Sequence, residues 1–210
     1  MRISNRFEKH VVAAAAVAMG AAAAANAAVV YSGVINFVCA VDIDGAYINV
    51  ETNTLSNGPG SGVPGWDVNP YMSGGGMNFY NSTGGGQMRY PGVITGPAGN
   101  LAVGTEIGAA ASYNTATTAV VFGSAAGNWQ YSAENVIGFK FVGADTLTHY
   151  GWMRFLMGAA GSSGTAATRT VVDYGYESVA GTAILAGAPA PGAIALLGVA
   201  GLAGGRRRRN

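Results

Sequence analysis

The segment Asn135 to Met157, NVIGFKFVGADTLTHYGWMRFLM, decides the fold. Asn135 to Phe141 is a short apolar run of β-branched and aromatic residues, and Thr148 to Met157 is a longer one. Such runs read as strands. Val142 to Asp145 between them carries turn chemistry, so the two runs predict a β-hairpin.

Working outward, Gly158 to Ala167 is a Gly/Ser/Ala loop, and Thr170 to Glu177 (TVVDYGYE) reads as the last strand before a spacer at Gly181 to Gly187. Toward the N-terminus, Val29 to Val41 predicts one or two strands, and Asp42-Ile43-Asp44-Gly45 a turn. Ala46 to Glu51 and Gly65 to Tyr71 alternate as half-buried strands do. Pro70 lacks a ladder donor and confines the second of these to an edge or a strand end. Asn53 to Gly65 reads as a surface loop, with Asn57-Gly58 favouring positive φ. Met77 to Tyr80 and Gln87 to Tyr90 read as strands joined into a hairpin by Gly84-Gly85-Gly86. Gly96 to Ala126 is poor in large side chains and is expected at the periphery, with a strand at Ala119 to Phe122 and a short helix near Leu101 to Ile107. Short strands at this spacing predict an all-β domain of two packed antiparallel sheets, a jelly-roll-like β-sandwich.

Charge is segregated along the chain. Arg2, Arg6 and Lys9 precede an apolar run from Val11 to Ala25, and Ala25-Asn26-Ala27 is an A-x-A cleavage site. Residues 1–27 therefore read as a signal peptide with a signal helix, removed by signal peptidase. The far end closes on Arg206, Arg207, Arg208 and Arg209 behind an uncharged run from Gly192 to Gly204. As a helix, that run is about 20 Å long, short for a hydrocarbon core of about 30 Å. Arginine at a bilayer centre costs roughly 2.5–3.5 kcal/mol, so the arginines stay cytoplasmic. Between these ends Arg89, Lys140, Arg154 and Arg169 face nine carboxylates, a net charge of −5 against +1 for the whole chain. A mildly acidic domain is no candidate for nucleic-acid binding through phosphate neutralisation.

Pro189-Ala190-Pro191, the apolar run and the arginine cluster together resemble the PEP-CTERM sorting signal, with Ala190 where the usual tripeptide has glutamate. The resemblance implies a short transmembrane sorting helix read by an exosortase-type enzyme. It also implies transient inner-membrane retention and delivery to the cell surface or extracellular matrix of an exopolysaccharide-producing, Gram-negative-type bacterium. Blocks such as Asp44-Gly45-Ala46-Tyr47-Ile48-Asn49, Gly65-Trp66-Asp67-Val68-Asn69-Pro70-Tyr71 and Thr148-His149-Tyr150-Gly151-Trp152-Met153-Arg154 are similar to those of exported PEP-CTERM proteins. That likeness implies a shared fold and no catalytic residues. The expected organisation is a signal peptide at 1–27, a β-sandwich at 28–180, a spacer at 181–188 and the sorting signal at 189–210.

Candidate chemistry is sparse. Cys39 is the single cysteine, which excludes an internal disulfide; its apolar run predicts a buried thiol. Of the two histidines, His10 belongs to the signal, and His149 is expected to be structural. One histidine and one cysteine cannot close a zinc site. Glycoside hydrolysis needs a carboxylate pair, for which Asp67, Glu134, Asp173 and Glu177 are the candidates; Asp173 and Glu177 equally suit cross-strand pairs with Arg154 or Arg169. Asp42, Asp44 and Asn49 around a glycine turn, and Asp67 with Asn69, are oxygen donors suited to a structural calcium ion. The rings of Trp66, Tyr71, Tyr80, Tyr90, Trp129, Tyr131, Tyr150 and Trp152 either stack on sugars, exopolysaccharide above all, or fill the core, the expected place of Trp66 and Trp152. No other cofactor is expected. The function expected is a non-catalytic surface or matrix protein, with a sugar-binding module or a secreted carbohydrate-active enzyme as the alternative.

Overall fold

The computed structural model describes residues 28–73, 76–82, 85–90, 98–114, 118–120, 128–159 and 167–188. The signal-peptide site at Ala25 and Ala27, and the motif from Pro189, Ala190 and Pro191 to the four arginines, lie outside the described residues. Among the described residues there is no α-helix, and no helix long and apolar enough to cross a membrane. The fold is all-β, with antiparallel pairing throughout.

The strands are β1 (Val29–Tyr31), β2 (Phe37–Cys39), β3 (Ala46–Asn49), β4 (Thr54–Asn57), β5 (Val68–Ser73), β6 (Gly76–Asn81) and β7 (Gln87–Met88). They are followed by β8 (Glu106–Ile107), β9 (Thr118–Val120), β10 (Glu134–Val142), β11 (Thr148–Met157), β12 (Arg169–Glu177) and β13 (Ile184–Leu185). The first sheet runs β1-β12-β11-β10-β7, with β2 also on β12; the second runs β4-β3-β5-β6-β9; β13 and β8 form a separate pair. The hairpin expected from Asn135 to Met157 is β10 and β11, in register from Glu134↔Leu156 to Val142↔Thr148.

Alternation explains what each face of these strands does. From β10 Ile137, Phe139 and Phe141, and from β11 Met153, Phe155 and Met157, enter a core shared with Ile48, Val68, Met77 and Phe79 of the second sheet. Phe79 meets Phe155 edge-on at 5.6 Å, and Trp129 closes on both rings at 6.3 and 5.9 Å. Such ring pairs add about 0.5–1.5 kcal/mol beyond area burial. The opposite face of the first sheet is covered as well: Val136, Tyr150 and Trp152 pack with Leu101, Ile107, Tyr113, Ile184 and Ala186. The double covering accounts for the almost continuous burial along β10, β11 and β12.

Several sequence expectations are corrected here. Residues 98–114 are not peripheral, since Leu101, Ile107 and Tyr113 cover the first sheet, and no helix forms at 101–107. Residues 181–188 are not a bare spacer, because β13 pairs with β8 and Ile184 is buried. The 53–65 loop contains β4, paired with β3 from Ala46↔Asn57 to Asn49↔Thr54; positive φ occurs at Asn53 (52°), at the turn between them. β6 and β7 are not a hairpin. They belong to different sheets; Gly84 lies outside the described residues, and a Cβ on Gly86 would lie 2.1 Å from the Asp67 carbonyl oxygen. Pro70 sits within β5 rather than at its end, beyond the one β3 partner at Ile48↔Val68, where the strand is laddered only to β6.

Candidate functional site

The outer face of the second sheet carries a cleft of about 370 Å³ lined by Ile43, Tyr47, Trp66, Asn69, Tyr71, Ser73 and Tyr80. Its construction follows from the pleat. Ala46 and Ile48 point into the core, so Tyr47 between them points out; on β5, Val68 is core, so Asn69, Tyr71 and Ser73 share the outer face. Tyr80 lies directly across from Asn69 on β6. The rings form a connected row: Tyr47 meets Trp66 edge-on at 5.2 Å, Trp66 meets Tyr80 at 6.4 Å, and Tyr80 meets Tyr71 at 6.3 Å. Tyr80 is 41 % exposed and Trp66 half-buried. Trp66 is therefore a surface residue and not the core residue its neighbours in sequence predict.

Two turns hold the walls. Asp42 Oδ1 accepts hydrogen bonds from the backbone N–H groups of Asp44 (3.1 Å) and Gly45 (2.7 Å), and Met72 N–H donates to the Asp42 carbonyl at 2.7 Å. Gly45 has φ +64°, and a Cβ there would lie 2.1 Å from the Pro70 carbonyl oxygen, so only glycine lets this turn lie against β5. Asn69 Nδ2 donates to the carbonyls of Asp44 (2.9 Å) and Ala46 (2.8 Å), pinning the same turn from below. The second turn is a 3-10 segment, Gly60–Gly62, which packs on the Tyr47 ring. Burial, and next the charge of Asp44, push the Tyr47 hydroxyl up from its ordinary value.

The oxygen donors proposed for calcium are mostly engaged elsewhere. Asn49 donates to the Pro64 and Gly65 carbonyls and accepts from Glu51 and Thr52 N–H. Asp67 Oδ2 accepts from Val50 N–H at 2.9 Å, and burial pushes its carboxyl up to about 7. Asp42 and Asp44 stay exposed on their turn, apart from this buried group. Among the described residues no three His, Cys, Asp or Glu side chains are grouped to hold a metal.

Of the carboxylates considered for hydrolysis, Glu134, Asp173 and Glu177 belong to the first sheet. Arg154 stands opposite Asp173, and the register between β11 and β12 shifts just after it, between Arg154 and Phe155. Arg154 Nε donates to Asp173 Oδ1 at 2.8 Å, its Nη2 reaches Oδ2, and its Nη1 lies 3.2 Å from Glu134. Tyr31 donates its hydroxyl to the same Asp173 at 2.7 Å. Glu177 does not pair with an arginine; it accepts from the backbone N–H of Ala28 and of Val179. Arg169 is fully buried without a carboxylate, and its Nη1 donates to the Tyr71 carbonyl at 2.9 Å. His149 is structural, with Nδ1 2.9 Å from the Glu177 carbonyl, Nε2 3.2 Å from Asp145 and its ring stacked on Phe141. Cys39 is buried, and desolvation pushes its thiol up to about 12.

Of the aromatic candidates, Trp66, Tyr71 and Tyr80 come together in the cleft, whereas Tyr90, Trp129, Tyr150 and Trp152 are buried. Trp152 sits in register between Gly138 and Gly175. Tyr131 is exposed away from the cleft lining. Ile43, Tyr47 and Ser73 complete the site and were not among the sequence candidates; for Tyr47 the signal was present, since alternation in Ala46-Tyr47-Ile48 turns it outward. No protein-family model, curated protein or solved structure matches this chain.

Proposed function

We propose that this protein is a non-catalytic, exported glycan-binding protein, held at the cell surface or in an exopolysaccharide matrix through its aromatic cleft. The observation that carries the reading is the row Tyr47, Trp66, Tyr80 and Tyr71 lining one uncharged, surface-open cleft with an amide and a hydroxyl beside it. Flat rings offer apolar faces to the C–H faces of a pyranose, and few polar groups suffice to orient it. No carboxylate lines the cleft, which favours binding over hydrolysis. The address rests on the two cation-bearing ends: a signal peptide cut after Ala27, and a PEP-CTERM-like tail processed by an exosortase-type enzyme from the inner membrane. We read the architecture as a jelly-roll-like β-sandwich. Its support is one core lined by both sheets, with the chain passing between them from β2 to β3, β6 to β7 and β9 to β10.

Glycan-array binding followed by calorimetry tests the reading. A tryptophan at the centre of a contact costs about 2 kcal/mol or more on truncation, so Trp66→Ala is expected to weaken binding roughly 30-fold while leaving the far-ultraviolet circular dichroism unchanged. Equal affinities for the two proteins would refute it.

A further inference from the structure

Resting on that glycan reading, we infer that the cleft selects uncharged or amine-bearing glycans and rejects acidic ones, uronate and sulfated chains alike. None of the lining residues carries a charge. Among the described residues, Asp42 and Asp44 are exposed carboxylates on either side of the lining residue Ile43. Their field already reaches the site, for both disfavour ionisation of the Tyr47 hydroxyl.

The hydrogen-bonding inventory points the same way. Anion recognition wants fixed N–H donors or a cation. Both N–H groups of the Asn69 amide are spent on the Asp44 and Ala46 carbonyls, so that side chain has only its oxygen, an acceptor, to offer. The remaining polar groups of the lining are the Tyr47, Tyr71, Tyr80 and Ser73 hydroxyls and the Trp66 indole N–H. Among the described residues, Arg169 holds the Tyr71 carbonyl and is 0 % exposed. It cannot reach a ligand, and two rim carboxylates outnumber it. The Asn69 oxygen accepts, the hydroxyls donate or accept, the indole N–H only donates, and no lining cation offsets the two carboxylates beside Ile43, so a neutral or cationic ligand is favoured over an anion.

Isothermal titration of the full protein with length-matched neutral glucan, chitosan and polygalacturonate oligosaccharides, at low and physiological salt, tests this. The expected order is chitosan at or above glucan, with polygalacturonate weakest and its deficit shrinking as salt rises. Asp44→Asn, which keeps the Asp42 hydrogen bonds that hold the cleft wall, is expected to strengthen polygalacturonate binding by about twofold or more and to leave glucan binding unchanged. Trp66-dependent binding that favours polygalacturonate, or Asp44→Asn without effect on it, would overturn the inference and leave the glycan reading standing. Absence of Trp66-dependent binding to all three classes would overturn both.

Discussion

Asp67 makes stability fall as pH rises through neutrality, and the effect can be sized. The residue is 5 % exposed, one carboxylate oxygen accepts the Val50 N–H at 2.9 Å, and burial raises its folded pKa from 3.8 to about 7. The unfolded chain releases that proton near pH 4, whereas the folded protein keeps it up to about pH 7. Between those values the folded state binds more protons, so stability declines with rising pH and is flat above the folded pKa. One pKa unit is worth 1.36 kcal/mol. Moving from about pH 5.5 to about pH 8.5 crosses about 1.5 units of that window and removes about 2 kcal/mol. In a domain of this size that is a fall in Tm of about 4–8 °C. Asp67→Asn retains an acceptor for Val50 and abolishes the titration. Thermal unfolding followed by circular dichroism should therefore show the wild type losing about 4–8 °C more than the variant across that range. Parallel pH profiles for the two proteins would refute the assignment.

Two further perturbations probe the fold. Arg154→Met leaves the fully buried Asp173 carboxylate without its guanidinium and is expected to cost about 3 kcal/mol in urea unfolding; adding Asp173→Asn should recover most of it, and Glu134→Gln, at the exposed end of the network, should change stability by less than about 1 kcal/mol. Gly45 and Gly33 both have positive φ (64° and 72°), but only at Gly45 would a Cβ strike backbone. Gly33→Ala is expected to cost about 1 kcal/mol for the left-handed conformation, and Gly45→Ala clearly more, because β5 must move; equal costs by chemical denaturation would count against the turn packing described for the cleft.

What the sequence by itself determined is local. The apolar runs at 135–141 and 148–157 with turn residues between them define β10 and β11, since short-range alternation and turn chemistry need no distant partner. Buried Cys39, the structural His149 and a cross-strand arginine partner for Asp173 were legible for the same reason, each sitting within a strand or beside its partner strand; that the arginine is Arg154 and not Arg169 was not. Only the tertiary structure decided which faces meet. Alternation says that Tyr47, Asn69 and Tyr71 each share a face with their i±2 neighbours, but not that three strands bring those faces together around Trp66. Residues 98–114 and 181–188 look like linkers because their apolar residues are few and widely spaced; their burial depends on packing across the first sheet, which leaves no periodic mark. Gly84-Gly85-Gly86 is ambiguous in the same way. Glycine permits a tight turn and a close approach alike; that β6 and β7 lie in different sheets, with the Asp67 carbonyl beside Gly86, was decided by the tertiary structure.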